Sequence, residues 1–461
     1  MAGPYYISWD TGNDETGAGT LLNPWKTPNK LFASGFTAPG EIGYARGGTY
    51  TLATADSLEK SGASGNPLIF RNYPDESPVF EYTAGYLQIG GSKDYITFDG
   101  LTVLRKVGTG STSILIIGGA YATIQNCIYY VHPDYLQTAG GDGIVAYTNA
   151  EYLTVDNCLI YNAFNQGVDW TGAHHVTVKN STVHDCQNGI VGKASAAPYN
   201  AGSHDNVVEK NFVYRTKYDA IMLGGDSGGH DADPGYADTD SVARNNLIWQ
   251  EAMTGQGNAR GLAIFGGLRC YAYNNTVIGG GMHITYANLT EYGLQPCQDC
   301  RAYNNIIIGR GATEGNGRMI KIKDSESTNG LLLKNNLYYQ GSLGSPDVYH
   351  LEWLSPTDYG YAGYAALASW DTGSVTGNDT TDPKLVNYLV NLIANFKLQS
   401  DSPAIDTGFD LTGIVTEDYA AVARPQGGIY DIGAYEHQGA VEPPAGTNID
   451  KPYVENILSA I

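Results

Sequence analysis

The sequence Tyr152-Leu-Thr-Val-Asp-Asn-Cys-Leu-Ile160 decides the fold, because related copies of it recur along the chain. The copies centre on residue pairs that usually contain Asn, and the second residues of these pairs stand at 100, 127, 158, 181, 211, 246, 275, 305 and 336. Successive copies are therefore 23 to 35 residues apart, a period typical of stacked coils that tolerate insertions. Apolar and polar residues alternate within each copy, which indicates β-strands rather than helices.

Each coil carries a second apolar strand upstream of its Asn-centred copy, for example Gly189-Ile-Val-Gly-Lys193. One position of these strands is expected to face the core, and it is occupied by Ile144, Val168, Ile190, Ile221, Leu262, Met282 and Ile320. Because side chains alternate along a strand, two other columns should point outward. The first outward column is Val145, Asp169, Val191, Met222, Ala263, His283 and Lys321, and the second is Tyr147, Thr171, Lys193, Gly224, Phe265, Thr285 and Lys323.

These repeats predict an all-β protein that forms a right-handed, single-stranded parallel β-helix of about ten coils with a short C-terminal appendix. The recurring Asn side chains should stack as an internal ladder, since an amide can donate and accept hydrogen bonds along the stack. Residues 1–60 are expected to form an N-terminal entry and cap segment, and residues 61–436 the β-helix with its closing segment. Residues 437–461 are expected to form a linker and a C-terminal tail.

The formal net charge of −21 argues against nucleic acid and anionic membrane surfaces as partners. An anionic polysaccharide would need a local cation, either a strip of basic side chains or a bound metal. No stretch reaches the roughly 18 apolar residues of a membrane span, and the start of the chain lacks a signal-peptide pattern. The protein is expected to be secreted or extracellular, or to belong to a virus particle.

The six cysteines leave three interpretations open. The spacing Cys297-Gln-Asp-Cys300 is the only one typical of a metal site, but a second such pair is missing. A disulfide and buried structural thiols are the alternatives, and sequence alone does not decide between them.

Both ends of the repeat region resemble a known group of proteins. The first end contains Asn23-Pro-Trp-Lys-Thr-Pro28, and the second contains Ser402-Pro-Ala-Ile-Asp-Thr-Gly408 and Tyr430-Asp-Ile-Gly-Ala-Tyr-Glu436. This order resembles secreted β-helix polysaccharide lyases of the pectate, alginate and chondroitin type. The resemblance implies the same architecture and a β-elimination reaction. In that reaction Lys or Arg takes the proton α to a uronate carboxyl, while a cation, often Ca²⁺, neutralises the carboxyl.

Lys193 resembles the strand-end base of these lyases, and Asp169 is expected beside it, one strand away and two residues apart in register. The Arg that the resemblance implies on the next coil is missing, because Gly224 and Gly225 occupy that place. His283 completes the candidate catalytic residues. The candidate substrate-binding residues on the same face are Tyr147, Tyr218, Lys321 and Lys323.

An acidic insertion at residues 226–240 follows on the next coil. Hard oxygen ligands at short spacing suit Ca²⁺, so the insertion predicts a calcium site, with a solvated acidic loop as the alternative. The candidate calcium ligands are Asp226, Asp231, Asp233 and Asp238.

The expected function is cleavage of a uronate-containing polysaccharide by a lyase, with two alternatives. A glycoside hydrolase on the same fold would use two carboxylates about 5–9.5 Å apart, such as Asp169 with Asp142 or Asp219. A non-catalytic carbohydrate-binding protein, similar to a viral tailspike or an adhesin, is the other. The expected partner is a polysaccharide, and an anionic one for the lyase. The sequence leaves the oligomeric state undetermined between a monomer and, for a viral protein, a trimer.

Overall fold

The computed structural model describes most of the chain in a series of ranges. The described residues are 3–106, 113–135, 141–147, 150–195, 203–225, 235–250, 260–289, 293–309, 318–340, 349–351, 361–376, 382–387, 389 and 391–438. The candidate calcium ligands Asp226, Asp231 and Asp233 lie outside them, as does the predicted tail beyond residue 438.

Three long parallel sheets, here named A, B and C, run the length of the described chain. Sheet A has 13 strands: Tyr5–Ile7, Ile42–Ala45, Leu68–Asn72, Ile96–Asp99, Ala122–Gln125, Thr154–Asp156, Thr177–Lys179, Val207–Glu209, Val242–Arg244, Tyr271–Tyr273, Arg301–Tyr303, Leu332–Lys334 and Asp371–Thr372. Sheet B has 11 strands: Asp56–Leu58, Leu87–Ile89, Leu115–Ile117, Ile144–Ala146, Gln166–Thr171, Asn188–Lys193, Asp219–Gly224, Arg260–Phe265, Met282–Thr285, Ile320–Ile322 and Tyr349–Leu351. Sheet C has 12 strands: Gly48–Leu52, Pro78–Tyr82, Thr102–Arg105, Ile128–Val131, Leu159–Tyr161, Thr182–His184, Phe212–Tyr214, Leu247–Trp249, Thr276–Ile278, Ile306–Ile308, Leu337–Tyr339 and Val375–Thr376.

The remaining elements are short. A three-stranded sheet contains Ser203–His204, Asp238–Thr239 and Gly267–Leu268, and an antiparallel pair contains Ala287–Leu289 and Gly293–Gln295. The α-helices span Pro28–Ser34 and Tyr361–Leu367, and the 3₁₀-helices span Pro133–Tyr135, Glu326–Thr328 and Ile393–Phe396. No helix within the described ranges has the length and apolar character needed to cross a membrane.

The predicted fold class is confirmed: the chain is a right-handed parallel β-helix, in which successive coils contribute one strand to each sheet. The inward column of sheet B also pairs as predicted, from Ile144 through Val168 and Ile190 to Ile320, and each of these side chains is buried. Sheets A and C have more strands than the predicted ten coils. The additional coils lie before residue 95 and after residue 340, and some of their strands fall within residues 1–60.

The two residues of the recurring Asn-centred pair, which lies at the turn between sheets A and C, have different structural roles. The first residue of the pair adopts a left-handed backbone, with φ of 55° at Asn126 and 52° at Asn157, and the Asn157 amide donates to Asn126 at 2.8 Å. The second residue of the pair points into the core. The internal ladder is therefore formed by the second residues, and it consists of Asn211, Asn246, Asn275, Asn305 and Asn336.

Asn246→Ala tests the contribution of this ladder to stability. The Asn246 side chain donates to the Val208 carbonyl at 2.8 Å and to the Asn275 side chain at 2.9 Å, and its oxygen accepts from the Asn211 backbone at 3.0 Å. Removing it leaves buried polar groups without partners, so the free energy of unfolding should fall by about 2 kcal/mol or more. Urea denaturation measures the change. Asn66→Ala, at an exposed turn, is the control, and an equal loss in both variants would contradict the ladder's role.

The C-terminal segment covers the outer face of sheet C. Phe396, Leu398 and Ile432 pack there against buried side chains of the sheet such as Leu247 and Ile306. Within this segment, Arg424 and Glu436 form a fully buried ion pair, with 3.1 Å between Nη1 and Oε2. Sheet C is therefore covered on both faces, whereas the outward columns of the sequence analysis lie on sheet B.

The six cysteines are buried as free thiols, Cys297 and Cys300 included. Of the three interpretations of the cysteines, the structure agrees with buried structural thiols. Cys127 and Cys158 hold the ladder position in two earlier coils, which explains the spacing of these two.

Candidate active site

Asp169 and Lys193 meet on the outward face of sheet B, as the sequence predicts. Thr171 pairs with Lys193 and Asp169 pairs with Val191, so the two side chains lie on neighbouring strands, two residues apart in register. Lys193 Nζ lies 3.1 Å from Asp169 Oδ1. Their side chains are only 11% and 7% exposed, so this ion pair is screened much less by water and salt than a surface pair would be.

Gly192, between Val191 and Lys193, faces inward against the Trp170 indole. A Cβ added at Gly192 would lie 2.4 Å from Trp170 Cε2, so only glycine fits there. Trp170 is itself fully buried, and its Nε1 donates to Ser203 Oγ at 2.9 Å. This packing holds the backbone on which Asp169 and Lys193 stand.

Asp142 adds a second carboxyl to the pair from the preceding coil. It stands two residues before the inward Ile144, and it accepts hydrogen bonds from Ser113 Oγ and from the Gln166 backbone, both at 3.1 Å. Burial raises the pKa of Asp142, and the charge of Lys193 opposes that increase. Asp142, Asp169 and Lys193 are thus close enough to influence one another's charge.

The charge state of Asp169 is set mainly by burial. Burial raises its pKa to about 6, the negative charge of Asp142 adds to the increase, and Lys193 opposes it. A carboxyl that titrates near neutral pH can both accept and donate a proton during a reaction. The three residues therefore form a cluster able to perform acid–base chemistry.

Asp219 and Arg260 form a second ion pair, where two neighbouring strands of sheet B begin. The sequence analysis named Asp219 but missed the arginine. Arg260 donates Nη2 to Asp219 Oδ2 at 2.6 Å, and its guanidinium lies 4.6 Å from the centre of the Phe265 ring. The sequence signal that would have revealed it is a column of polar residues near the start of the sheet B strands, each followed directly by Gly or Ala. That position holds Asp142, Gln166, Asn188, Asp219 and Arg260.

Basic side chains gather farther along the sheet, towards the C-terminal coils. Lys321 stands beside His283 in register, and the Lys323 ammonium lies 4.4 Å from the centre of the Tyr286 ring. Burial, together with the charges of Arg260, Lys321 and Arg318, lowers the pKa of His283 well below its ordinary value. His283 is three strands from Lys193, roughly 14 Å away, so the structure does not bring it into the Asp169–Lys193 cluster.

Of the two candidate tyrosines, the structure brings only Tyr147 near the cluster, because Tyr218 lies at the start of a strand whose other end is level with Lys193. Tyr147 is 50% exposed at the end of the strand that precedes Asp169, and the charges of Asp142 and Asp169 contribute to raising its pKa. Tyr218 immediately precedes strand Asp219–Gly224, and the Lys217 ammonium lies 5.1 Å from its ring centre.

Asp238 is the one candidate calcium ligand that the structure describes. It is fully buried in the three-stranded sheet, where Ser241 Oγ donates to its Oδ1 at 2.7 Å. Burial raises its pKa, which favours the neutral acid over the carboxylate that Ca²⁺ requires. The sequence analysis expected Asp238 on an acidic loop; the structure places it in a buried hydrogen-bond network instead.

Comparisons with known proteins agree with this architecture. The family model described as "Right handed beta helix region" matches residues 84–230. Pectate lyase Pel9A is 16% identical, with 94% of this chain and 96% of that chain covered and a TM-score of 0.53. XylC in complex with xylose is 12% identical, with 94% and 99% covered and a TM-score of 0.52. A third structure is the catalytic unit of the GH87 α-1,3-glucanase from Streptomyces thermodiastaticus, at 13% identity, 83% and 72% coverage and a TM-score of 0.46.

The chain is thus a right-handed parallel β-helix protein, and it shares this fold with pectate lyase Pel9A and XylC. At these identities the likeness concerns the fold alone, because one fold carries many activities. No curated protein shows significant sequence similarity to the chain.

Proposed function

We propose that this protein cleaves a uronate-containing polysaccharide by β-elimination, with Asp142, Asp169 and Lys193 at the active site. The observation that carries the proposal is the 3.1 Å ion pair between Lys193 and Asp169 on the outward face of sheet B. A lysine and a carboxyl that share one proton, with the carboxyl's pKa near neutral, are suited to moving a proton between two atoms of a substrate.

The reaction breaks the C5–H bond of the uronate and the bond from C4 to the glycosidic oxygen, and it forms a C4=C5 double bond. When the shared proton sits on Asp169, Lys193 is an amine and takes the C5 proton. Asp169 then gives its proton to the departing oxygen. The pair is again an ammonium and a carboxylate, so no proton is gained or lost. The raised pKa of Asp169 supports this scheme because it increases the population of the reactive form.

The basic side chains of the C-terminal coils support an anionic substrate. The chain carries a net charge of −21, so a uronate polymer needs a local positive region. Arg318, Lys321 and Lys323 supply one roughly 19 Å from Lys193, four strands along the sheet. An extended polysaccharide lying across the strands would contact both the cluster and this region, and Tyr147 offers a partly exposed ring for stacking.

Calcium remains part of the proposal as the cation that neutralises the uronate carboxyl. The burial of Asp238 leaves the candidate ligands at 226, 231 and 233, which lie outside the described residues. Alternatively, the positive side chains already on sheet B provide this charge without a metal.

A glycoside hydrolase is the second candidate, and the influence of Asp142 on Asp169 favours it. Two carboxyls with raised pKa values on neighbouring strands can act as the acid and the second carboxylate of hydrolysis. Asp219 is less suited than Asp142, because Arg260 binds both of its oxygens.

A polysaccharide panel separates these functions. The protein is incubated with pectate, alginate, chondroitin and neutral glucans, each with added Ca²⁺ and with EDTA, and both absorbance near 235 nm and reducing ends are followed. We expect both signals to rise together on a uronate polymer. Reducing ends without absorbance indicate hydrolysis, whereas binding without either signal indicates a carbohydrate-binding protein. Equal rates in Ca²⁺ and EDTA would exclude the calcium requirement.

A further inference from the structure

Three histidines from two consecutive coils gather at the turn that leads from sheet B to sheet A. His174 and His175 follow strand Gln166–Thr171, and His204 ends the short strand Ser203–His204 on the next coil. The His175 backbone N–H donates to the His204 carbonyl at 3.0 Å, which fixes the two coils against each other at this point. One ring nitrogen from each histidine lies within 4.8 Å of the other two.

This cluster stands alone in the described part of the chain. No other group of three His, Cys, Asp or Glu side chains there brings its ligand atoms so close together. The sequence did not reveal it, because His204 is 29 residues from His175 and only the stacking of coils makes them neighbours. The cluster is also distinct from the Asp142–Asp169–Lys193 site on sheet B.

Neighbouring carboxylates occupy the outer nitrogens of the rings. His174 Nε2 lies 3.3 Å from Glu151 Oε1, and His204 Nδ1 lies 2.8 Å from Asp205 Oδ2. His175 Nε2 lies 4.0 Å from the same Asp205 oxygen. A carboxylate that accepts the N–H of one ring nitrogen leaves the other nitrogen with a lone pair, which is the arrangement found around metal-bound histidines.

The inner nitrogens of two rings already face each other. His174 Nδ1 and His175 Nδ1 are 2.8 Å apart, and each of these atoms could bind a metal. The side chains are 22%, 36% and 37% exposed for His174, His175 and His204, so an ion can enter from solvent.

Ring stacking explains only part of this arrangement. Tyr95, Tyr121, Tyr152 and His175 stack in succession along the same turn, with 4.4 Å between the ring centres of Tyr152 and His175. That column accounts for the orientation of His175. It does not account for His174 and His204, which stack on each other at 4.2 Å beside the column.

We propose that His174, His175 and His204 form a binding site for a divalent transition metal of the Zn²⁺ type. Imidazole nitrogens suit Zn²⁺, Ni²⁺ and Cu²⁺, whereas Ca²⁺ prefers oxygen ligands. Tetrahedral Zn²⁺ with bonds of 2.0–2.1 Å places its ligand atoms roughly 3.4 Å apart, so small rotations of the three rings complete the site. The metal joins two consecutive coils, and its fourth position is open to water or to a neighbouring carboxylate.

Metal titration of the full chain, prepared without a histidine tag and dialysed against EDTA, tests the proposal. Calorimetry should show one equivalent of Zn²⁺ bound, and Co²⁺ should give the visible absorption bands of a tetrahedral nitrogen-ligated ion. His174→Ala and His204→Ala should each weaken Zn²⁺ binding at least about tenfold. Asp205→Asn should weaken it by about 10- to 100-fold, because a neutral amide oxygen is a weaker acceptor for the His204 ring than the carboxylate that orients it.

His132→Ala is the matched control, since it removes an imidazole from a different turn. It should leave Zn²⁺ affinity unchanged, and Ca²⁺ should produce no heat that depends on His204. The proposal is overturned if wild-type protein binds no Zn²⁺, or if His174→Ala and His204→Ala bind it as tightly as the wild type. Circular dichroism and melting of each variant separate a lost ligand from a lost fold.

Discussion

Lys193→Ala is expected to reduce β-elimination by a factor of roughly 10² or more on any substrate that the panel identifies. The amine that takes the C5 proton is then gone, while Asp142 and Asp169 remain. Initial rates of absorbance near 235 nm measure the loss. The fold should survive, because Lys193 ends its strand and points away from the core that Ile190 fills. Circular dichroism and the melting temperature check that it does.

Lys193→Arg distinguishes a base from a positive charge that only holds the substrate. A guanidinium keeps the charge, but it releases its proton far less readily than an ammonium and holds it in a different geometry, so this variant should lose most of the elimination activity. Lys179→Ala is the matched control, since Lys179 forms a comparable ion pair with Asp156 on sheet A, at 3.6 Å. Near-full elimination by Lys193→Ala would refute the proposed mechanism and make Asp142 with Asp169 the leading catalytic pair.

Asp169→Asn is expected to lower kcat/KM by a similar factor and to change its pH dependence. In the wild type, the pKa of Asp169 is raised to about 6. Below pH 6 Asp169 takes up a further proton from solvent, so the pair cannot accept the C5 proton and activity should fall as the pH decreases through about 6. The amide of Asn does not titrate, so the residual activity of Asp169→Asn should lack this acidic limb. A pH–rate profile between about pH 4 and 9 measures both effects.

Asp156→Asn, in the control ion pair of sheet A, should retain the wild-type profile. If the acidic limb of the pH–rate profile persists unchanged in Asp169→Asn, a group other than Asp169 is responsible for it. Asp142 is then the first candidate, because burial raises its pKa too. If Asp169→Asn abolishes the release of reducing ends on a neutral glucan instead, the glycoside hydrolase is the correct function.

The fold was predictable because a parallel β-helix repeats one physical requirement in every coil. Each coil must supply an inward apolar side chain at the same place, and alternation along the strand then determines which neighbours point outward. This is why the column from Ile144 to Ile320 and the outward pairing of Asp169 with Lys193 followed from the repeat. The end coils, such as those of strands Tyr5–Ile7 and Ile42–Ala45, were missed because they lack the Asn-centred pair.

The ladder shows how much detail a repeat leaves undetermined. The sequence shows that Asn recurs, but Asn126 and Asn246 have different tasks. Asn126 has a left-handed backbone at the turn, whereas Asn246 points inward and bonds to the coils on both sides. Only the turn geometry decides which residue of the pair enters the core.

The sequence by itself determined the architecture, the face of the sheet that carries the polar columns, and the meeting of Asp169 with Lys193, since all three depend on local alternation and a short period. The tertiary structure decided the rest. Arg260 contacts Asp219 although a long insertion separates them in sequence, and His204 contacts His174 because successive coils stack. The number of residues between the partners therefore predicts neither contact. Burial, which raises the pKa of Asp169 and removes Asp238 from the surface, depends on everything packed around a residue, and no local pattern encodes it.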